Sequence, residues 1–141
     1  MTKSSEKGFS IIEMMLVVTI IGIIAAIGVP SFQKGIRAVD NGVMFANLRS
    51  MNSTQVNFYS QHGRFARLDE LNSLHGGALG VNVGNGIRKG KFWIEMSPTT
   101  PTDAELKNEY IILAAGPNGA PGDPPIIYRL NQSGEILQIS P

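Results

Sequence analysis

Apolar and polar positions follow three successive patterns along this chain. The first is an unbroken run: "FSIIEMMLVVTIIGIIAAIGV", Phe9 to Val29, carries one charge, Glu13, in 21 residues. A stretch of ~20 apolar residues matches one membrane-crossing helix. The second pattern has helical spacing. Leu48, Met51, Gln55 and Phe58 recur three or four apart, with Val39, Val43 and Met44 on nearby faces. Arg37, Asp40, Asn41, Asn47, Arg49, Asn52 and Ser53 take much of the remainder. Gly63 in "QHGRF" is a good C-cap. These positions predict one helix from Phe9 to about His62, roughly 80 Å at 1.5 Å per residue. That is long for a small globular domain and suits a stalk. Pro30 lacks a backbone donor and clashes with the turn before it, and Gly22 and Gly28 lower helix propensity. A kink or an unwound turn is therefore expected within Gly22–Pro30.

The third pattern is strand-like. "KFWIEMS" (Lys91–Ser97), "NEYIILAAG" (Asn108–Gly116), "IIYRLN" (Ile126–Asn131) and "GEILQIS" (Gly134–Ser140) are short apolar runs between Pro/Gly turns. Gln132-Ser133-Gly134 joins the last two as a tight hairpin. Four short strands with short turns predict an antiparallel meander, with Phe92, Ile94, Ile112 and Tyr128 facing the helix. Between helix and strands, "RFARLDELNS" reads as a short turn of helix. "LHGGALGVNVGNGIRKGK", with six glycines from Gly76 to Gly90, reads as a loop. The expected fold class is α+β: a long N-terminal helix, kinked near Pro30, packed on a small four-stranded antiparallel sheet. In chain order the parts are 1–8, the apolar helix 9–29, its amphipathic half 30–62, a connecting region 63–91 and the sheet 92–141.

Composition narrows the function. Net charge is +1, so no basic field argues for nucleic acid. The densest basic run, Arg88-Lys89-Gly90-Lys91, reads as a solvated loop. There is no cysteine, so disulfides and zinc-thiolate sites are excluded and the domain beyond the apolar run is held by packing alone. His62 and His75 stand apart in sequence, with no acidic cluster beside them. Neither a G-x-S-x-G elbow nor a histidine zinc motif occurs. No convergent catalytic set and no cofactor motif is read. Trp93 reads as packing rather than as a ligand stacker.

Glu13 remains to be explained. A carboxylate at the bilayer centre costs ~2.5–3.5 kcal/mol on insertion scales. A secretory signal peptide has an apolar core of only ~7–15 residues, and cleavage at Ala25-Ala26 would discard most of the run. A plain signal anchor fits the length, and Lys3 and Lys7 favour a cytoplasmic N-terminus. Lys34 and Arg37 on the far side blur that bias. Neither reading uses Glu13.

"KGFSIIEMMLVVTIIGIIAAIGVPSFQ" resembles the class III signal of type IV prepilins and type II secretion pseudopilins. A basic leader ends in Gly8, the next residue is Phe9, and the fifth residue from Phe9 is Glu13. The resemblance implies cleavage of Gly8–Phe9 by prepilin peptidase, methylation of the Phe9 amine, and retention of the apolar run. It implies a structural subunit of a type IV pilus. A pseudopilin of a type II secretion system is the alternative. The implied partners are copies of the same chain joined through N-terminal helices, the inner membrane before assembly, and the pilus assembly machinery. The implied location is the inner membrane and then an extracellular filament. It also implies that Glu13 and Phe9 direct assembly and that Gly22, Gly28 and Pro30 loosen in the fibre. A residue four before Glu13 shares its helix face. The Phe9 amine of the same or a neighbouring subunit could then neutralise the carboxylate and fix the register. Type II pseudopilins often hold calcium in a loop near the C-terminus. The matching "GPNGAPGDPP" offers Asn118 and Asp123, one carboxylate where calcium prefers several.

Overall fold

The computed structural model describes residues 8–117 and 124–140. The chain divides into two units, Met1–Ala38 and Val39–Pro141. Helix α1 (Ile11–His62) passes from the first into the second.

In the first unit α1 is helical throughout Gly22–Pro30, with Pro30 inside it. Proline leaves the carbonyl four residues back without its usual partner. Hydroxyls work alongside the ladder here. Ser31 Oγ donates to the Ile27 carbonyl at 3.3 Å and Thr19 Oγ1 to the Met15 carbonyl at 2.8 Å, a back-bonding that spares polar groups from facing lipid. Ile11, Ile12, Leu16, Ile20, Ile24 and Ile27 are all exposed.

In the second unit α1 buries one face. Met44, Leu48, Met51, Gln55 and Phe58 are buried, the three-and-four spacing of an amphipathic helix. Val39 and Val43 are not part of that face; they remain 65% and 51% exposed. The helix stops where predicted: Gly63 takes φ 68° and its N–H donates to the Tyr59 carbonyl at 2.8 Å, the left-handed cap that glycine adopts without steric cost. Helix α2 (Leu68–Leu74) follows.

The sheet has six strands rather than four. β1 (Val81–Val83), β2 (Gly86–Lys89), β3 (Phe92–Met96), β4 (Ile111–Gly116), β5 (Ile126–Asn131) and β6 (Ile136–Gln138) form one antiparallel meander in chain order. The two additional strands come from the glycine-rich stretch that reads as a loop. Glycine count misleads because the glycines punctuate rather than dissolve the strands. Val83 pairs with Gly86 across Gly84-Asn85, and Lys89 with Phe92 across Gly90-Lys91. Two-residue turns with glycine at positive φ are the ordinary hairpin connection, and Gly84 and Gly90 take φ 57° and 59°. Gly86 is required for another reason: a Cβ there would clash with the Trp93 ring and the Ile94 carbonyl.

The inward residues register across strands. Ile87, Ile94, Ala114 and Tyr128 form one row; Met96, Ile112, Leu130 and Ile136 form the next. With α1 and α2 they make a single core that includes Phe65, Leu71, Leu106 and Tyr110. Full burial of a Leu, Ile, Phe or Met side chain contributes ~1.5–3 kcal/mol.

Polar clamps lock the connections. Gln55, fully buried, donates to the Ala66 carbonyl (2.8 Å) and accepts from the Ala66 N–H (2.7 Å). Its amide thus satisfies a chain segment that belongs to neither helix nor sheet. The buried Tyr110 hydroxyl donates to Asn52 Oδ1 at 2.8 Å, and burial raises its pKa. Arg64 makes two bonds to Glu70 (2.8 and 2.6 Å), and Arg67 pairs with Asp103. The Arg67 N–H also donates to Glu70 at 2.8 Å.

The Arg64 hydrogen bond, aided by the Arg67 amide, outweighs desolvation and holds the Glu70 carboxyl at about 2, against an ordinary 4.5. A depressed carboxylate stabilises the fold above its unfolded pKa. That stability is lost as pH falls from about 4.5 toward about 2. Glu70→Gln should cost about 1–3 kcal/mol at neutral pH. It should also flatten the acid limb in that window. Denaturant unfolding of the detergent-solubilised chain as a function of pH measures both.

Candidate assembly site on the N-terminal helix

The first turn of α1 is capped from both sides, by a variant of the capping box in which the serine hydroxyl serves the second helical N–H rather than the third. Ser10 precedes the helix. Its hydroxyl accepts from the Ile12 N–H at 3.4 Å and its carbonyl from the Met14 N–H at 3.2 Å. The Glu13 carboxylate reaches back and accepts from the Ser10 N–H at 2.8 Å. Serine followed three residues later by glutamate is the sequence signature of this motif. The signal stands in "SIIE", where the charge of Glu13 in an apolar run masks it.

The geometry changes the energetics of Glu13. It stands in the first helical turn, not at the middle of the span. Free N–H groups and the macrodipole favour a carboxylate there. The bilayer-centre cost is therefore the wrong reference for this residue.

Phe9 precedes Ser10 and is 83% exposed; Gly8 is exposed as well. Phe9, Ile11, Met14, Met15, Val18 and Thr19 line a shallow, mainly apolar groove of about 430 Å³. Phe9 and Glu13 thus share one end of the helix, and its flank is apolar. Gly22 and Gly28 lie further along, where an added Cβ would meet nothing within 4 Å. α1 is long and apolar enough to cross a membrane, and no part of its apolar window is buried in the protein.

The remaining candidates lie elsewhere. Asn118 and Asp123 fall outside the described residues. Among the described residues no three His, Asp or Glu side chains stand close enough to share a metal ion. His62 stacks on Phe58, with ring centroids 4.0 Å apart. His75 donates from Nδ1 to the Leu71 carbonyl (2.9 Å); its Nε2 lies 3.1 Å from Ser50 Oγ and 3.3 Å from Thr54 Oγ1, which itself donates to the Ser50 carbonyl. His62 thus closes the last turn of α1, and His75 links the end of α2 to α1.

Comparison with known proteins points to the same end of the chain. Residues 3–29 match the family model described as the prokaryotic N-terminal methylation motif. The type IV major pilin protein PilA of Myxococcus xanthus is 38% identical over 61 residues, 43% of this chain and 28% of that protein. The type IV major fimbrial protein FimA of Dichelobacter nodosus is 59% identical over 32 residues, 23% of this chain and 20% of that protein. The fimbrial protein EcpC of Eikenella corrodens is 35% identical over 63 residues, 45% of this chain and 41% of that protein. The chain spans less than half the length of these curated relatives. No solved structure matches it significantly.

Ser10→Ala removes the hydroxyl half of this cap and leaves the main-chain bond to Glu13, a loss of ~1 kcal/mol. Amide hydrogen exchange in the first turn of α1 should then speed up about fivefold, with exchange beyond Thr19 unchanged.

Proposed function

From the premise that this chain is a relative of the type IV pilins, we propose that it is the structural subunit of a type IV pilus. The observation that carries the reading is the end of α1: Gly8, Phe9 and the capped Glu13 head a helix whose apolar flank nothing in its own unit covers. The named relatives are pilus and fimbrial proteins, so the secretion pseudopilin reading is not favoured. A structural role needs no catalytic set, and none is assigned.

On this reading the leader is removed between Gly8 and Phe9 by prepilin peptidase. Phe9–Val29 rests in the inner membrane until the assembly machinery moves the subunit into an extracellular filament. Before cleavage the only donor that Phe9 offers is a peptide N–H, and Glu13 is satisfied by the Ser10 amide. Cleavage creates a cation at Phe9, which methylation of the amine preserves. Phe9 lies two residues before the helix and Glu13 in its first turn, so the new amine and Glu13 share one helix end, to be paired on this subunit or against a neighbour. In the fibre a subunit out of register leaves a charge unpaired in an apolar core, a penalty larger than the net worth of the pair. Glu13 therefore sets stagger more than it adds stability. Unwinding within Gly22–Pro30 belongs to the same step, where neighbouring helices can satisfy the freed carbonyls.

Intact mass of the mature protein tests processing: it should lack Met1–Gly8 and carry one added methyl group. An uncut N-terminus rules the reading out. Glu13→Ala should be cleaved and inserted normally yet yield few or no sheared surface filaments by electron microscopy. Wild-type filament numbers from that variant would defeat the register role.

A further inference from the structure

The sheet is apolar on both faces. Buried and partly exposed residues alternate along β3, β4 and β5. The buried set packs in the core with α1, and the other set forms an outer face within the same unit. An antiparallel sheet with one solvated face alternates apolar and polar side chains. β4 does not: "IILAAG" contains no polar side chain. One outward row is Trp93, Ala115 and Ile127, and the next is Glu95, Leu113, Arg129 and Leu137. Leu137 is 40% exposed. Arg88, beside Trp93 on β2, is exposed at the rim. An apolar patch edged by charges marks a protein contact.

Two charges inside the patch say what it contacts. Glu95 and Arg129 stand in one row on β3 and β5, with Leu113 of β4 between them. Trp93 Nε1 donates to Glu95 Oε2 at 3.0 Å, so both side chains are set before a partner arrives. Among the described residues Arg129 makes no ion pair, and its Nε is buried without a hydrogen-bond partner. We propose that this outer face docks on the same face of a second copy, about a two-fold axis that runs along β4. That axis lays β3 of one copy over β5 of the other. Glu95 then faces Arg129 of the second copy, and Arg129 faces its Glu95. Leu113 meets Leu113, Ala115 meets Ala115, and Trp93 meets Ile127. A two-fold axis across the strands would set Glu95 on Glu95 and Arg129 on Arg129, so the charges select the first arrangement. Two sheets packed this way keep their strands nearly aligned, ~10 Å apart. The inference rests on the pilus reading and adds how filaments meet. Neighbours along one filament repeat a single rotation and rise, whereas a two-fold contact closes after two copies. The contact therefore joins two filaments side by side. α1 covers the opposite face of the sheet, so contacts made through α1 leave this face open.

Sheared wild-type filaments should lie in bundles by electron microscopy. Glu95→Arg and Arg129→Glu each bring like charges together twice, which should weaken the lateral contact about a hundredfold and leave the filaments single. The double variant keeps the net charge and exchanges the two signs, so bundles should return. A cross-link tests the axis without touching either charge. The chain has no cysteine, so Leu113→Cys supplies one thiol beside the axis, and a short bis-maleimide should join it to its copy. Leu137→Cys, two strands away on the same face, should give far less dimer. The same cross-links on the detergent-solubilised full chain read the contact where filaments are absent. Wild-type filaments that stay single overturn the docking. So do bundles that survive both charge reversals, which would mean that a different molecule bridges the faces, and so does equal cross-linking at the two positions. Dimer through Leu113→Cys in detergent from cells that make no filaments overturns the pilus reading and upholds the docking.

Discussion

The constraint on which this protein depends is an apolar helical surface that its own chain does not cover. From Ile11 to Val29 the large side chains of α1 are exposed, and water is a poor solvent for them at ~25 cal/mol per Å². Only lipid or other helices can serve as surroundings. That requirement explains the composition of the rest. Polar groups within the run are either turned onto the backbone, as with Thr19, or placed at the helix end, as with Glu13. The second unit carries its own complete core and does not rely on the apolar run for stability.

How that core is held without a disulfide follows from where the clamps fall. The sequence contains no cysteine. Packing closes the core instead. Two polar contacts tie the segments that follow to α1, Gln55 to Ala66 and Asn52 to Tyr110, and a third ties Arg64, just past α1, to Glu70 of α2. Each originates within or just past the last three turns of α1. Removing one partner would leave a buried group unsatisfied, and that penalty enforces the arrangement more than the favourable bond itself does.

Much of this was legible in the sequence. The span, the helix to His62, its Gly63 cap and the strand Ile126–Asn131 follow from periodicity and turn residues, because one physical cause dominates at each position. Two features were misread, both where local signals compete. "VNVGNGIRK" carries strand alternation and turn glycines in the same nine residues, and counting glycines hid the β1–β2 hairpin. At Glu13 the charge in an apolar run masks the backbone motif that the residue completes with Ser10. Val39 and Val43 were grouped with the core-facing helix because period alone does not say which of two adjacent apolar faces the sheet covers. The register of six strands could not be read at all, since it is set by cross-strand contacts such as Gly86 against Trp93.

The same apolar surface limits what can drive assembly. Lipid tails are as apolar as leucine, so in the proposed transfer of α1 from bilayer to fibre little would be gained from the hydrophobic effect. What remains is close packing, interhelical polar contact and work supplied from outside. Gly22 and Gly28 leave the backbone open on the helix surface, which permits near approach of a neighbour, yet apolar packing alone is tolerant of sliding along the axis. One charge at a fixed depth is not. In the proposed fibre a shift of one helical turn, ~5.4 Å, would carry Glu13 from beside an amine to beside a methyl group. A helix end that costs little in the membrane, because Ser10 caps it, would then be selective only in the assembled state. On that reading the asymmetry would let one short segment serve two solvents without being trapped in either.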